Sequence, residues 1–229
     1  MQSIIVTGAS GNLGQAIVKK FLDEGYKVIG TVIANDPVPL NISHANFEKI
    51  VVDLGNENEA EEFVKNIVSK YGAIDAAVLT VGGFAMGSLK ETTINDIKKQ
   101  FKLNFETAYN AARPVFIQMM QQKSGKIFLI GARTGIDMKN SKGMVAYGLS
   151  KSLIFRLAEL MNEEAKGTDV VTAVVAPSTI DTPQNRQSMP SADHEKWVKP
   201  EAIAGIIYFY CQPGSLVIRE PIIKVYHNA

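Results

Sequence analysis

Ile4-Ile5-Val6-Thr7-Gly8-Ala9-Ser10-Gly11-Asn12-Leu13-Gly14 runs from an apolar stretch straight into a glycine-rich turn. Such a turn bends sharply and lets backbone N–H groups approach an anion, because no Cβ stands in the way. Leu13 and Gly14 open an amphipathic segment whose free N–H groups and positive dipole end face that anion. Three glycines alone are a weak signal. An apolar strand before them, a helical pattern after them and a place at the head of the chain make this the pyrophosphate turn of a dinucleotide site. Gly8, Ser10, Gly11, Asn12, Leu13 and Gly14 are its expected binding residues.

The same alternation continues outward from the turn. Short apolar runs at 3–6, 27–32, 48–52, 76–79, 126–130, 170–175 and 222–225 read as strands. Helical patterns lie between them at 13–24, 58–71, 94–122, 145–166 and 200–210. Continuous rather than alternating apolar strands indicate a parallel sheet covered on both faces. The expected fold is therefore α/β, a doubly wound Rossmann sheet of about seven strands, in one domain over residues 1–229. The polar, proline-containing stretch 178–199 is too long for an ordinary connection and follows the sixth strand's carboxyl end, which suits a substrate lid.

Composition narrows the partners. A net charge of +1 with 21% charged residues offers no field for nucleic acid or an anionic membrane. Cys211 stands alone, and His44, His194 and His227 lack ligand spacing, so no disulfide framework or metal site is expected. The chain shows no signal-peptide leader and no apolar stretch of membrane-spanning length, which points to a soluble cytoplasmic protein acting on a small molecule.

Tyr147-Gly148-Leu149-Ser150-Lys151 places a phenol and an amine four residues apart on one helical face. A free phenol has a pKa of about 10 and exchanges protons poorly near neutrality. A neighbouring ammonium lowers that pKa, which suits general acid–base work. Taken alone, such a pair is common on exposed helices. The adenosine end is less defined. The second strand ends at Thr31-Val32, with no Lys or Arg between Lys27 and Lys49 to neutralise a 2′-phosphate. Asp36 reads equally as a ribose ligand or a solvated loop residue, so NAD and NADP both stay open. Asp53-Leu54, ending the third strand, meets the adenine edge or else caps the following helix.

Together, the turn and the tyrosine–lysine pair resemble the short-chain dehydrogenase/reductase family over essentially the whole chain. Further pieces match in order: Val81-Gly82-Gly83, an altered form of the family's Asn-Ala-Gly turn; Asn104 in Lys102-Leu103-Asn104-Phe105; and Pro177-Ser178-Thr179-Ile180-Asp181-Thr182. The resemblance implies hydride transfer with NAD or NADP and Tyr147, Lys151 and Asn104 as catalytic residues. It implies that Val81, Gly82 and Gly83 lie beside the adenosine ribose. Lys151 would also bind the nicotinamide ribose, and Pro177, Ile180 and Thr182 the nicotinamide. It also implies a homodimer or homotetramer paired through the helices at 94–122 and 145–166.

One departure bears on the substrate. After Ile130-Gly131 the family usually has a Ser whose hydroxyl holds the substrate carbonyl, and here Ala132-Arg133-Thr134 follows. Losing one such donor costs on the order of 10²- to 10³-fold. Three readings follow: Thr134 substitutes, the substrate does not need the donor, or the enzyme is degraded, the last opposed by intact Tyr147, Lys151 and Asn104.

The chain is also similar to the dihydropteridine reductase branch. That branch shares Ala followed by a basic residue, as in Ala132-Arg133, and a Gly-Gly-aromatic turn like Gly82-Gly83-Phe84. It also shares the string from Asp181-Thr182-Pro183-Gln184-Asn185-Arg186 through Ser188-Met189-Pro190 to Asp193, with Trp197 soon after. Phe84 in place of Trp and Thr31 in place of Asp depart from it. The resemblance implies a quinonoid ring as acceptor, and Ala132, Thr134, Phe84, Met144 and Met189 are the expected substrate-binding residues. Met86, Met138, Met144 and Met189, in loops near the sheet's carboxyl edge, read equally as pocket or filler, and Phe84 and Trp197 as stacking platforms or packing. Arg133 reads as a surface ion pair, Arg186 as a clamp within the lid, and the acidic run 57–62 as a solvated helix face.

Overall fold

A computed structural model describes the chain except for Met138, Asn140, Glu220 and Ala229, so the methionine expected at 138 lies outside the described residues. Among the described residues seven strands form one sheet: β1 (Ser3–Thr7), β2 (Lys27–Val32), β3 (Phe47–Val51), β4 (Ala76–Leu79), β5 (Ser124–Ile130), β6 (Asp169–Pro177) and β7 (Ile222–Val225). Their order is β3-β2-β1-β4-β5-β6-β7, and every neighbouring pair is parallel. The order reverses between β1 and β4, and a crevice opens beyond the carboxyl ends at such a switch point. Thr7 pairs with Leu79 there, directly before the glycine turn.

Among the described residues eight α-helices connect the strands: α1 (Asn12–Asp23), α2 (Glu57–Tyr71), α3 (Ile94–Phe101), α4 (Thr107–Gln122), α5 (Arg133–Ile136), α6 (Val145–Glu164), α7 (Pro183–Ser188) and α8 (Pro200–Tyr210). Strand residues alternate between two cores because successive Cβ atoms point to opposite faces. Ile5, Ile29, Ala77 and Leu129 pack under α2, α4 and α6 with Phe63, Val115, Met119 and Phe155. Ile4, Val6, Val28, Val78 and Phe128 pack under α1 and α8 with Ile17, Phe21 and Ile207. Both faces of the central strands β1 and β4 are buried, which is why they read as unbroken apolar runs, whereas the edge strands β3 and β7 are partly exposed.

The predicted helix at 94–122 is not one helix. It is interrupted by a π turn, Lys102–Glu106, in which the Thr107 N–H reaches back to the Lys102 carbonyl. Asn104 lies in this bulge and is drawn into buried hydrogen bonds, while the Thr107 hydroxyl takes the Leu103 carbonyl at 2.7 Å. Those tertiary bonds outweigh a regular ladder, a recurrent use of π bulges at functional sites. Asp53 does not cap α2. Asn56 does, its side chain accepting from the N–H groups of Asn58 and Glu59, while Asp53 Oδ1 accepts from Gly55 N–H at 2.8 Å. Arg113 of α4 pairs with two acids of α2, Glu61 and, at 3.8 Å, Glu57.

Candidate active site

The glycine turn is as tight as its sequence implies. Gly8 has φ +61°, and a Cβ on Gly14 would lie 2.2 Å from the Gly8 carbonyl oxygen. Ala9 N–H donates to the Thr31 carbonyl at 2.9 Å, which ties the turn to the end of β2. Gly11 caps α1 without any side-chain hydrogen bond, so the first-turn N–H groups face outward unclaimed by a cap.

Beyond the turn lies a cleft of about 640 Å³. Of the expected binding residues, Gly8, Ser10, Gly11, Asn12, Leu13, Gly14, Thr31, Asp53, Leu54, Val81, Gly82 and Thr182 line it. An uncapped helix N-terminus, a glycine cradle and a long cleft across the switch point fit a dinucleotide. The sequence reading missed Val32, Ile33, Val52, Gly55 and Thr80 as lining residues, as well as Lys99, Lys102, Leu103 and Thr107. The first group continues strands already identified, so the strand ends carried the signal. The second group lies on α3, the π turn and the start of α4, whose approach to the cleft no local pattern announces.

At the far end of the cleft, Gly82 connects it to the tyrosine–lysine pair. A Cβ on Gly82 would meet Asn104 Oδ1 at 2.6 Å and Lys151 Nζ at 3.2 Å, so only glycine leaves room for both. Asn104 is buried and its amide is fully engaged. Its Nδ2 approaches the Gly83 carbonyl at 3.0 Å, Gln100 Oε1 at 2.9 Å and Ser150 Oγ at 3.1 Å, and its Oδ1 accepts from Gly83 N–H at 2.9 Å. Lys151 is buried too and donates to the Ile130 carbonyl at 2.8 Å.

The expected effect of the lysine on the phenol is not what this geometry produces. Burial pushes the Tyr147 hydroxyl up to about 12 and the Lys151 ammonium down to about 8. Lys151 is turned to the Ile130 carbonyl, and desolvation governs both groups. The phenol is thereby held in its proton-bearing form.

Around Tyr147 the side chains expected at the substrate come partly together. Phe84, which is largely exposed, meets the Tyr147 ring edge-on with centroids 4.9 Å apart. Met144 precedes α6 and pairs through its backbone with Gly87, and Met86 reaches Gly143. Ala132 is buried at the N-cap of α5. Two residues on, the Thr134 hydroxyl is buried with no hydrogen-bond partner. Gly135 packs against the backbone of Lys151, which sets α5 directly on α6. Arg133 lies over the Tyr226 ring at 5.0 Å.

The stretch 178–199 is more ordered than a loop. Arg186 clamps Asp181 through two bonds of 2.5 and 2.8 Å, as the sequence suggested. Thr182 caps α7 by accepting from Asn185 N–H, and Asn185 donates to the Ile180 carbonyl at 2.8 Å. Ile180 bridges to Val198, and Pro177 closes β6. Gln184 accepts a 2.8 Å bond from Asn12 of the glycine turn. Met189 stays in this segment, its carbonyl 3.0 Å from His194 Nε2. Trp197 is buried against the His194 ring at 4.4 Å, so its role is packing and not stacking on a substrate.

Comparison with known proteins agrees with this arrangement. The sequence profile described as short chain dehydrogenase matches residues 2–193. An acetoacetyl-CoA reductase of Acinetobacter sp. (strain RA3849) is 24% identical, covering 94% of this chain and 93% of its own length. A cyclic-di-GMP-binding biofilm dispersal mediator protein of Escherichia coli (strain K12) is 27% identical over 93% of this chain and 91% of its own. The solved structure of ElxO with NADP bound superposes with a TM-score of 0.89 at 21% identity, covering 98% of this chain and 96% of that one. Among the described residues no three His, Cys, Asp or Glu side chains group as metal ligands, and no helix is long and apolar enough to cross a membrane. With its profile match, its sheet and its glycine cleft in agreement, the chain belongs to the short chain dehydrogenase family of NAD(P)-dependent oxidoreductases.

Proposed function

We propose that this oxidoreductase reduces a planar, ring-conjugated acceptor of the quinonoid pterin type, with Tyr147 as proton donor. The observation that carries this is the exposed Phe84 ring set against Tyr147, in a site where Ala132 supplies no hydroxyl to hold an isolated carbonyl. A flat heterocycle stacks on an aromatic face without needing that donor. The bound coenzyme would supply the hydride. Tyr147, kept protonated by burial, delivers the balancing proton to the ring heteroatom, so one hydride and one proton together complete the two-electron reduction. Lys151 and Asn104, packed around Gly82, hold the inner end of the cleft and the route by which that proton is replaced. The segment 178–199 serves as the lid, joined to the glycine turn through Asn12 and Gln184. Assembly as a homodimer or homotetramer uses the exposed stripe Leu149, Leu153 and Leu160 of α6 with Tyr109 and Ile117 of α4.

The test is a steady-state comparison of quinonoid dihydropterin with a panel of ketones, using NADH and NADPH. Faster turnover of the pterin, with Phe84→Ala raising its KM by roughly 10-fold, supports this reading. Ketones turned over faster than the pterin would remove it. Coenzyme binding without turnover on either panel would mark a binding protein and not an enzyme.

The unpartnered Thr134 hydroxyl favours a second reading, reduction of an isolated carbonyl with Thr134 as the oxygen's donor, in line with the similarity to an acetoacetyl-CoA reductase. Under that reading Thr134→Ala lowers ketone reduction by about 10²-fold. An unaffected variant removes Thr134 from the chemistry.

The pH profile is a separate check. Lys151 carries its charge below about 8 and loses it above. Reductive turnover therefore declines as pH rises through that value. In Lys151→Arg the decline is expected to vanish below pH of about 10, because a guanidinium does not deprotonate there. A profile indifferent to this substitution would separate the limb from Lys151.

A further inference from the structure

We propose that the cleft selects NADH over NADPH, and that Asp36, fastened to the glycine turn through Ser10, is the residue that discriminates. The inference rests on the coenzyme reading of the cleft and goes beyond it. In doubly wound sheets the adenosine 2′-hydroxyl is read beyond the end of the second strand. The usual place for an acid there is taken by Thr31, which is buried, and the chain continues neutral through Val32 and Ile33. Asp36 nonetheless returns to line the cleft. It is held on both oxygens: Oδ2 accepts from the Ser10 hydroxyl at 2.5 Å and Oδ1 from Val38 N–H at 2.9 Å. Ser10 belongs to the phosphate turn, so the carboxylate is fixed beside that turn and is not a freely solvated loop residue. The same bonds, the Ser10 one foremost, hold the carboxyl below the usual carboxylate range, and it stays charged at neutral pH.

The sequence offers it no neighbouring cation, with no Lys or Arg between Lys27 and Lys49. The basic residues that line the cleft are Lys99 and Lys102, from α3 and the π turn, and Lys102 lies against Gly55 beyond β3. A 2′-phosphate carries between one and two negative charges and is ordinarily met by a guanidinium fork. Here it would meet a fixed carboxylate. A ribose hydroxyl, by contrast, can donate to that carboxylate. Selection thus comes from rejecting the wrong coenzyme as much as from holding the right one. The likeness to an NADP-bound structure concerns the fold and leaves this residue unaddressed.

Direct titration of the full chain with NADH and with NADPH, in the absence of substrate, tests the assignment by nucleotide fluorescence. The wild type is expected to bind NADH at least about 30-fold more tightly. Asp36→Asn is expected to reduce the ratio below about 5-fold, chiefly by tightening NADPH. Lys102→Ala is expected to keep the wild-type ratio. NADPH binding as tight as NADH in the wild type overturns the proposal. So does an unchanged ratio in Asp36→Asn, or a loss of NADPH binding confined to Lys102→Ala. A wrong preference sinks this inference alone, whereas binding of neither coenzyme sinks the oxidoreductase reading with it.

Discussion

Tyr147→Phe lowers reductive turnover by roughly 10³-fold while leaving the coenzyme dissociation constant within about two-fold of wild type. The ring stays, so its edge contact with Phe84 and its place on α6 are preserved, and only the proton is removed. Because burial holds that hydroxyl up at about 12, it carries its proton throughout the ordinary pH range. Loss of the group should therefore be felt equally at every pH below about 8, where Lys151 also keeps its charge. The measurement is kcat and coenzyme Kd for both proteins across pH. Turnover retained within a few-fold would assign the proton to another group.

Gly14→Ala is expected to destabilise the chain by about 3 kcal/mol or more and to weaken coenzyme binding by at least about 10²-fold. The added methyl would stand 2.2 Å from the Gly8 carbonyl oxygen and 2.9 Å from Ala9 Cα, both backbone atoms that cannot rotate aside. Relief requires α1 to move off β1, which opens the anion cradle. For a chain of this length the thermal midpoint should fall by roughly 6–12 °C. Gly205→Ala provides the internal comparison, since nothing lies within 4 Å of its added Cβ on α8. That change should be neutral or stabilising by up to about 1 kcal/mol, as helix propensity predicts. Equal midpoints for the two variants would show that the turn tolerates a side chain.

Much of the fold was legible because its signals are local. Strand positions 27–32, 76–79 and 222–225 agree with β2, β4 and β7, since apolar runs bounded by turn residues need no tertiary knowledge to recognise. Helix α8 was legible for the same reason, with Pro200 at its first turn. The glycine turn was legible because backbone geometry demands glycine at Gly8 and Gly14. The short helices α5 and α7 were not, because four and six residues carry too little periodicity.

Apolar periodicity and glycine spacing mark a parallel sheet and a tight strand-to-helix turn, and the Tyr147–Lys151 interval marks a candidate proton donor, because each depends on neighbours a few residues away. Only tertiary structure decides how these parts are tuned. The π turn forms because Asn104 finds Gly83 and Ser150, and Lys151 turns to Ile130 because β5 lies beneath α6. The lid meets the turn because Gln184, 172 positions away, reaches Asn12. Those contacts, and the desolvation that sets Tyr147 and Lys151 apart, arise from burial among remote segments, which no local stretch of chain encodes.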